Sequence, residues 1–100
     1  MRIRFEDADL ERIAADAAFT GGLDAARVKG FPKVVARLVD ALNEHSLRQF
    51  RGLNFEALRG DRAGEYSLRI NDQWRLIVTI EAGEGSNNNV IVVRAIEDYH

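Results

Sequence analysis

Tyr66-Ser67-Leu68-Arg69-Ile70-Asn71-Asp72-Gln73-Trp74-Arg75-Leu76-Ile77-Val78-Thr79-Ile80 is the stretch on which the architecture turns. Tyr66, Leu68 and Ile70 alternate with Ser67 and Arg69, and Trp74, Leu76, Val78 and Ile80 alternate with Arg75, Ile77 and Thr79, the period of two that a half-buried strand requires. Asn71-Asp72-Gln73 supplies turn chemistry between the two runs. A three-residue loop sets Ile70 opposite Trp74 and Leu68 opposite Leu76, so one apolar face turns inward. Arg69 then falls opposite Arg75 on the other face. Two like charges across a ladder cost roughly a few tenths to 1 kcal/mol unless an anion sits beside them. That anion is either a carboxylate of the protein, with Glu65 and Glu56 as candidates, or a phosphate of a substrate.

Outward from the hairpin, Gly83 to Asn89 forms a second turn and Val90 to Ile96 carries another strand signal. Upstream, Gly30-Phe31-Pro32 breaks the chain and places a proline in a first helical turn, and Val35, Leu38, Val39 and Leu42 follow helical spacing. This predicts the main helix over 32–45, with His45 as a cation at its C-terminal end. Arg2 to Phe5 reads as a short strand. Asp7 or Asp9 can cap a helix bearing Leu10, Ile13, Ala14 and Ala17, which ends near Thr20-Gly21-Gly22. One strand, two helices and an antiparallel meander predict an α+β fold, with helices packed on one face of the sheet in a single domain over 1–100.

With 46% apolar residues in 100, the chain can bury one modest core. It holds no cysteine, which excludes disulfides, thiolate-bound zinc and cysteine nucleophiles and suits a reducing cytoplasm. The start Met-Arg-Ile-Arg-Phe, followed by Glu6, Asp7 and Asp9, lacks signal-peptide character, and no stretch reaches membrane-span length, so a soluble cytoplasmic protein is expected. The net charge of −2 argues against nonspecific nucleic-acid binding. The average hides a pattern: residues 27–75 hold ten Arg or Lys against six acids, whereas both ends are acidic. Twelve arginines against two lysines favour bidentate contacts with phosphate or carboxylate, and a high-GC codon bias explains the ratio equally well.

Two segments can carry chemistry. Alternation along Arg94-Ala95-Ile96-Glu97-Asp98-Tyr99-His100 sends Arg94, Asp98 and His100 to one side. An Asp and a His near arginines can accept and donate the protons of an attack by a ribose 2′-hydroxyl on its adjacent phosphate. The plain alternative is a frayed surface end. Leu58-Arg59-Gly60-Asp61-Arg62-Ala63-Gly64-Glu65 is either a tight connection with surface ion pairs, or a turn that brings Arg59 and Arg62 up to phosphates. With two histidines no convincing metal site can be drawn, no cofactor is implied, and no P-loop, dinucleotide glycine pattern or nucleophile elbow occurs.

Three segments together carry a resemblance. Phe55 to Gly64, Tyr66 to Leu76 and the closing Glu97-Asp98-Tyr99-His100 resemble the "L-K/R-G-D-R-x-G-x-Y/W-S-I-R-x-N-x-x-W-R-I" core and "D-Y-H" end of HigB toxins, a branch of the RelE/ParE superfamily. The resemblance implies a RelE-like, microbial-RNase-type fold and a ribosome-dependent mRNA endonuclease. It also implies a helix-turn-helix, HigA-like antitoxin, with the 70S ribosome and mRNA as targets and operator DNA reached through the antitoxin. The family's catalytic Lys matches Arg59 and its phosphate-contacting Arg matches Arg75. Asp98, Tyr99 and His100 match its terminal triad, Tyr99 stacking on a base and Asp98 and His100 moving protons. Arg62, Arg69 and Arg94 are further phosphate-binding candidates. Glu56 stands where many members have His, so it substitutes as a base, pairs with an arginine, or marks weaker activity. Two other readings stay open: a ParE-like gyrase inhibitor, and an inactive toxin homologue that acts as an antitoxin-binding co-repressor.

Overall fold

The hairpin forms in the register expected of it: Arg69 pairs with Arg75 and Leu68 with Leu76, and the Ile70 amide donates to the Trp74 carbonyl at 3.0 Å. The structure, a computed structural model, describes residues 1–16, 18–83 and 89–98. Its strands are β1 (Arg2–Phe5), β2 (Glu56–Ala57), β3 (Glu65–Arg69), β4 (Trp74–Glu81) and β5 (Val90–Asp98), in one sheet ordered β1-β5-β4-β3-β2. β2 to β5 are antiparallel neighbours, and β1 pairs in parallel with β5 at the far edge. The helices are α1 (Ala8–Ala15), α2 (Ala25–Val28), α3 (Phe31–Asp40) and α4 (Glu44–Gln49), and short 3₁₀ turns occupy Arg51–Leu53 and Gly60–Arg62.

One core lies between the helices and one face of the sheet. Leu10 and Ile13 of α1, Phe31, Val34, Val35 and Leu38 of α3 and Leu47 of α4 are buried against Leu68, Leu76, Val78, Ile91 and Val93. Non-directional burial of apolar area is the main force holding these layers together. The α+β layering is as the sequence predicts.

The helix boundaries differ from the sequence reading. Asp7 does cap α1, its side chain accepting from the Asp9 amide. The helix then stops at Ala15 rather than near Thr20, because Asp16 turns extended and its carboxylate accepts from the Ala18 amide at 3.0 Å, an Asx turn that competes with helix propagation. Ala17 lies outside the described residues. The expected 32–45 helix is two helices. Asn43 caps α4 through the Ser46 amide at 2.9 Å, so α3 ends at Asp40. Of the expected stripe, Val35 and Leu38 are buried, whereas Val39 and Leu42 are 49% and 77% exposed. His45 accordingly sits in the first turn of α4, not at a helix C-terminus.

The polar residues of the hairpin turn hold the layers in place. The Asn71 side chain donates to the Ala26 and Lys29 carbonyls at 3.0 and 2.9 Å and accepts from the Gln73 and Trp74 amides at 3.0 and 3.1 Å. It thereby closes its own turn and ties it to the end of α2. Gly30 (φ +89°) packs against this turn so closely that a Cβ there would meet the Ile70 carbonyl oxygen at 2.8 Å. Only glycine combines that backbone conformation with that approach. Arg27 covers the Trp74 ring at 4.2 Å, a cation–π contact that completes the joint.

β5 contains an irregularity of consequence. Pairing runs from Trp74 with Asp98 to Ile77 with Ala95, then resumes at Val78 with Val93, leaving Arg94 as an extra residue. Alternation is broken there. Asp98 pairs with Trp74 at the last position of β5, where it reaches the edge of the open-face cleft, and Glu97 pairs with Arg75 on the open side. The expectation that Arg94 and Asp98 project together is corrected by this bulge.

Candidate functional site

Two rows of the open face define the site. Glu56, Ser67 and Ile77 lie side by side across β2, β3 and β4, and Arg69, Arg75 and Glu97 lie side by side across β3, β4 and β5. The rows are two residues apart along the strands, a step of about 7 Å. Between and around them is a cleft of about 260 Å³ lined by Asn54, Glu56, Leu58, Arg62, Ser67, Arg75, Ile77, Glu97 and Asp98. Ile77 is 3% exposed and forms an apolar floor under a polar rim.

The two facing arginines are relieved by groups other than Glu65 and Glu56. Arg69 pairs with Asp72 of the turn. The Arg75 Nη1 donates to the Asn71 carbonyl at 2.8 Å and the Trp74 carbonyl at 3.2 Å, and Glu97 is its neighbour on β5. Backbone carbonyls thus hold the Arg75 guanidinium in one orientation at the cleft. Preorganised cations of this kind stabilise charge that develops on a phosphorane.

Arg62 makes three bonds to carboxylates. Its Nη1 and Nη2 donate to the two oxygens of Glu97 at 2.7 and 2.8 Å, and its Nε donates to Glu65 at 2.6 Å. Glu97 first, then Glu65, push its guanidinium still further above its ordinary range. An arginine is charged at any working pH in either case, so the consequence is orientation rather than charge state. Glu65 also faces Arg94 at 3.9 Å, and Arg94 meets Glu6 at 3.3 Å. The cluster Glu6, Glu65, Glu97, Arg62 and Arg94 holds three acids against two cations.

The candidates therefore separate. Glu56, Arg62, Arg75 and Asp98 come together at the cleft. Asp98 is reached by the Gln73 amide at 3.4 Å. Arg94 lines a separate shallow concavity with Asp61, Gly64 and Thr79. Arg69 lines a groove on another side with Lys33, Arg37 and Phe50. Arg59 is exposed at the start of the Gly60–Arg62 turn, its carbonyl accepting from the Arg62 amide at 3.3 Å. Among the described residues, neither Arg59 nor Glu56 takes part in a salt bridge. Tyr99 and His100 lie outside the described residues. Sequence reasoning missed Glu97, Ser67 and Asn54 as cleft residues. Glu97 in particular gave no signal, since unbroken alternation from Arg94 points to Asp98. Among the described residues no three His, Cys, Asp or Glu side chains cluster to hold a metal ion. Among them, too, no helix is long and apolar enough to cross a membrane.

Comparison with known proteins places this geometry. The chain is similar in structure to a YoeB/ParE toxin from Agrobacterium tumefaciens, at a TM-score of 0.57 and 19% identity over 100% of both chains. It is similar in structure to a chain of the YoeB–YefM complex from Staphylococcus aureus, at a TM-score of 0.59 and 21% identity over 100% of this chain and 97% of that one. YafQ from E. coli aligns at a TM-score of 0.53 and 11% identity over 98% and 93% of the two chains. At such identities the likeness concerns the fold. No curated protein matches the chain. A family model described as "RelE-like toxin of type II toxin-antitoxin system HigB" matches residues 3–100. The chain belongs to this HigB-like family, the RelE-like toxins of type II toxin–antitoxin systems.

Proposed function

We propose that the chain is a ribosome-dependent endoribonuclease that cleaves mRNA and so arrests translation. The observation that carries this reading is the cleft in which the carboxylates of Glu56 and Asp98 line the same concavity as Arg75, beside the strand end that leads to Tyr99 and His100. In the reaction a ribose 2′-oxygen attacks its own 3′-phosphorus. Its proton passes to a base, the bond to the 5′-oxygen breaks, and an acid protonates that oxygen. The products are a 2′,3′-cyclic phosphate and a 5′-hydroxyl. Arg75, and Arg59 from the adjoining turn, stabilise the charge gathering on the phosphoryl oxygens. Asp98 and His100 move the protons, Glu56 stands as an additional base, and Tyr99 stacks on or orients a base. The chemistry needs no metal. A helix-turn-helix antitoxin would hold the toxin inactive and carry it to operator DNA.

A second reading is favoured by one observation. Arg62, Arg69 and Arg94 are each paired with the protein's own carboxylates, and the chain carries −2 overall. A toxin homologue that cleaves poorly and serves as the antitoxin's co-repressor fits that arrangement.

Primer-extension mapping of an mRNA incubated with the protein, with and without translating 70S ribosomes, separates the two. Cuts that require ribosomes and vanish in His100→Ala support the nuclease. A folded wild-type protein that leaves the mRNA intact, while binding its antitoxin, supports the co-repressor. Failure of gyrase to supercoil relaxed plasmid in the presence of the protein would instead point to a ParE-like inhibitor.

A further inference from the structure

The Arg62–Glu97 pair joins two pieces of chain that are 35 positions apart in sequence. Arg62 closes the turn that begins at Arg59, and Glu97 immediately precedes Asp98 at the end of β5. The turn is rigid in its own right. The Leu58 amide donates to the Glu65 carbonyl at 2.9 Å, and the Arg62 and Ala63 amides donate to the Arg59 and Gly60 carbonyls at 3.3 and 3.1 Å. Those bonds shape the turn but do not orient it against β5. Two side-chain bonds from Arg62 to Glu97 cross from the turn to the strand end, and they are parallel and bidentate, the geometry that fixes both distance and angle. Glu65 braces the same guanidinium from β3 through Nε.

We infer that Arg62 and Glu97 form a positioning tether, which sets the Arg59 turn against the Asp98 end of β5, and that Arg62 is not itself a ligand of the RNA phosphate. The inference rests on the nuclease reading above and assigns these two residues a part in that same site. Arg62 directs three of its five N–H groups to protein carboxylates, and a phosphate could take those three only by displacing Glu97 or Glu65. A carboxylate already in that position repels a phosphate. Arg75, which lines the cleft, and Arg59, exposed, are the cations that the nuclease reading sets against the substrate.

The two roles differ in the sign of one substitution. The test is single-turnover cleavage of mRNA on programmed 70S ribosomes, with the rate at saturating protein and the half-saturating concentration read separately. Glu97→Gln and Arg62→Lys each loosen a bidentate pair, so both lower the saturating rate about 10- to 100-fold, as expected of a displaced catalytic group. Half-saturation stays within about two-fold, since uniform binding is untouched. The Arg62→Ala/Glu97→Ala double variant falls no further than the worse single one, because both remove one shared link. If Glu97→Gln instead tightens half-saturation or raises the rate, Arg62 is a phosphate ligand restrained by Glu97, and the tether is overturned. Additive losses, or unchanged rates in both conservative variants, overturn it as well. Circular dichroism reports folding, and should Arg62→Ala fail to fold, Glu97→Gln and Arg62→Lys still decide the question. A wild-type protein that makes no cuts overturns the nuclease reading and this inference with it, whereas wild-type cutting with unaffected variants overturns the tether alone.

Discussion

Towards the helices, β3, β4 and β5 present Leu68, Leu76, Val78, Ile91 and Val93, each fully buried; towards the open side their neighbours Ser67, Arg75, Thr79 and Glu97 line or border a cleft. Both faces are written into the same strands by alternate residues. They differ in what specifies them. The inner face needs only that its residues be apolar and of about the right size, because burial is non-directional. The outer face depends on which charge meets which, and its pairs span the chain: Arg62 with Glu97, Arg4 with Glu81, Arg94 with Glu6. An inner-face substitution should therefore act on stability and leave the chemistry of the surviving folded protein intact, and an outer-face substitution should do the reverse.

The severest test of that division is Leu76→Ala. Removing a fully buried leucine should cost about 3 to 5 kcal/mol in urea denaturation, while cleavage per folded molecule stays at the wild-type level. A loss under about 1 kcal/mol would mean that the inner face collapses to refill the space, and the two faces would not be distinct in this sense. Arg75→Ala comes next and runs the other way. It should slow cleavage on ribosomes about 100-fold or more, with a stability change of about 1 to 2 kcal/mol, smaller than that of Leu76→Ala. An Arg75→Ala protein that cleaves at the wild-type rate would remove this residue from the mechanism.

Gly30→Ala sharpens the comparison from a third position, the joint between the layers. It demands a left-handed conformation and a Cβ at 2.8 Å from the Ile70 carbonyl oxygen, so a destabilisation of about 1 to 3 kcal/mol is expected by thermal melting. An unchanged melting temperature would show that the Asn71 turn can move away from α2 without penalty. The smallest effect belongs to the outer edge. Arg4 and Glu81 lie 2.6 Å apart with both side chains more than half exposed, so Arg4→Ala should change stability by about 0.5 kcal/mol or less. A larger loss would mean that the parallel β1–β5 edge relies on this pair.

The family motif also divides along these lines. In Arg69-Ile70-Asn71-Asp72-Gln73-Trp74-Arg75, the Asn and Trp are architectural: Asn71 uses its amide four times to close the turn and tie it to α2, and Trp74 is covered by Arg27. Arg75 alone of the seven lines the cleft. In Arg59-Gly60-Asp61-Arg62, the second arginine is committed to Glu97 and Glu65, and the first is exposed. A motif can thus be specific to a family for reasons of folding as much as of chemistry.

By itself the sequence determined the hairpin, its register down to Arg69 opposite Arg75, the inner apolar face and the α+β layering, because these follow from local alternation and turn residues. It also pointed to the family through three short motifs. Its helical spacing pointed to one unbroken helix over 32–45 with Leu42 in the buried stripe, and that reading was wrong at the break. Only the tertiary structure decided that Leu42 stays in solvent and Asn43 caps α4. Only the tertiary structure, too, introduced the bulge at Arg94, which shifts the pairing so that Glu97 comes beside Arg75 in the cleft and faces Arg62. The physical reason is common to both. A strand's period of two and a helix's stripe are properties of neighbouring residues, whereas a slipped pair in a ladder or a salt bridge across 35 positions depends on partners that meet only once the chain has folded.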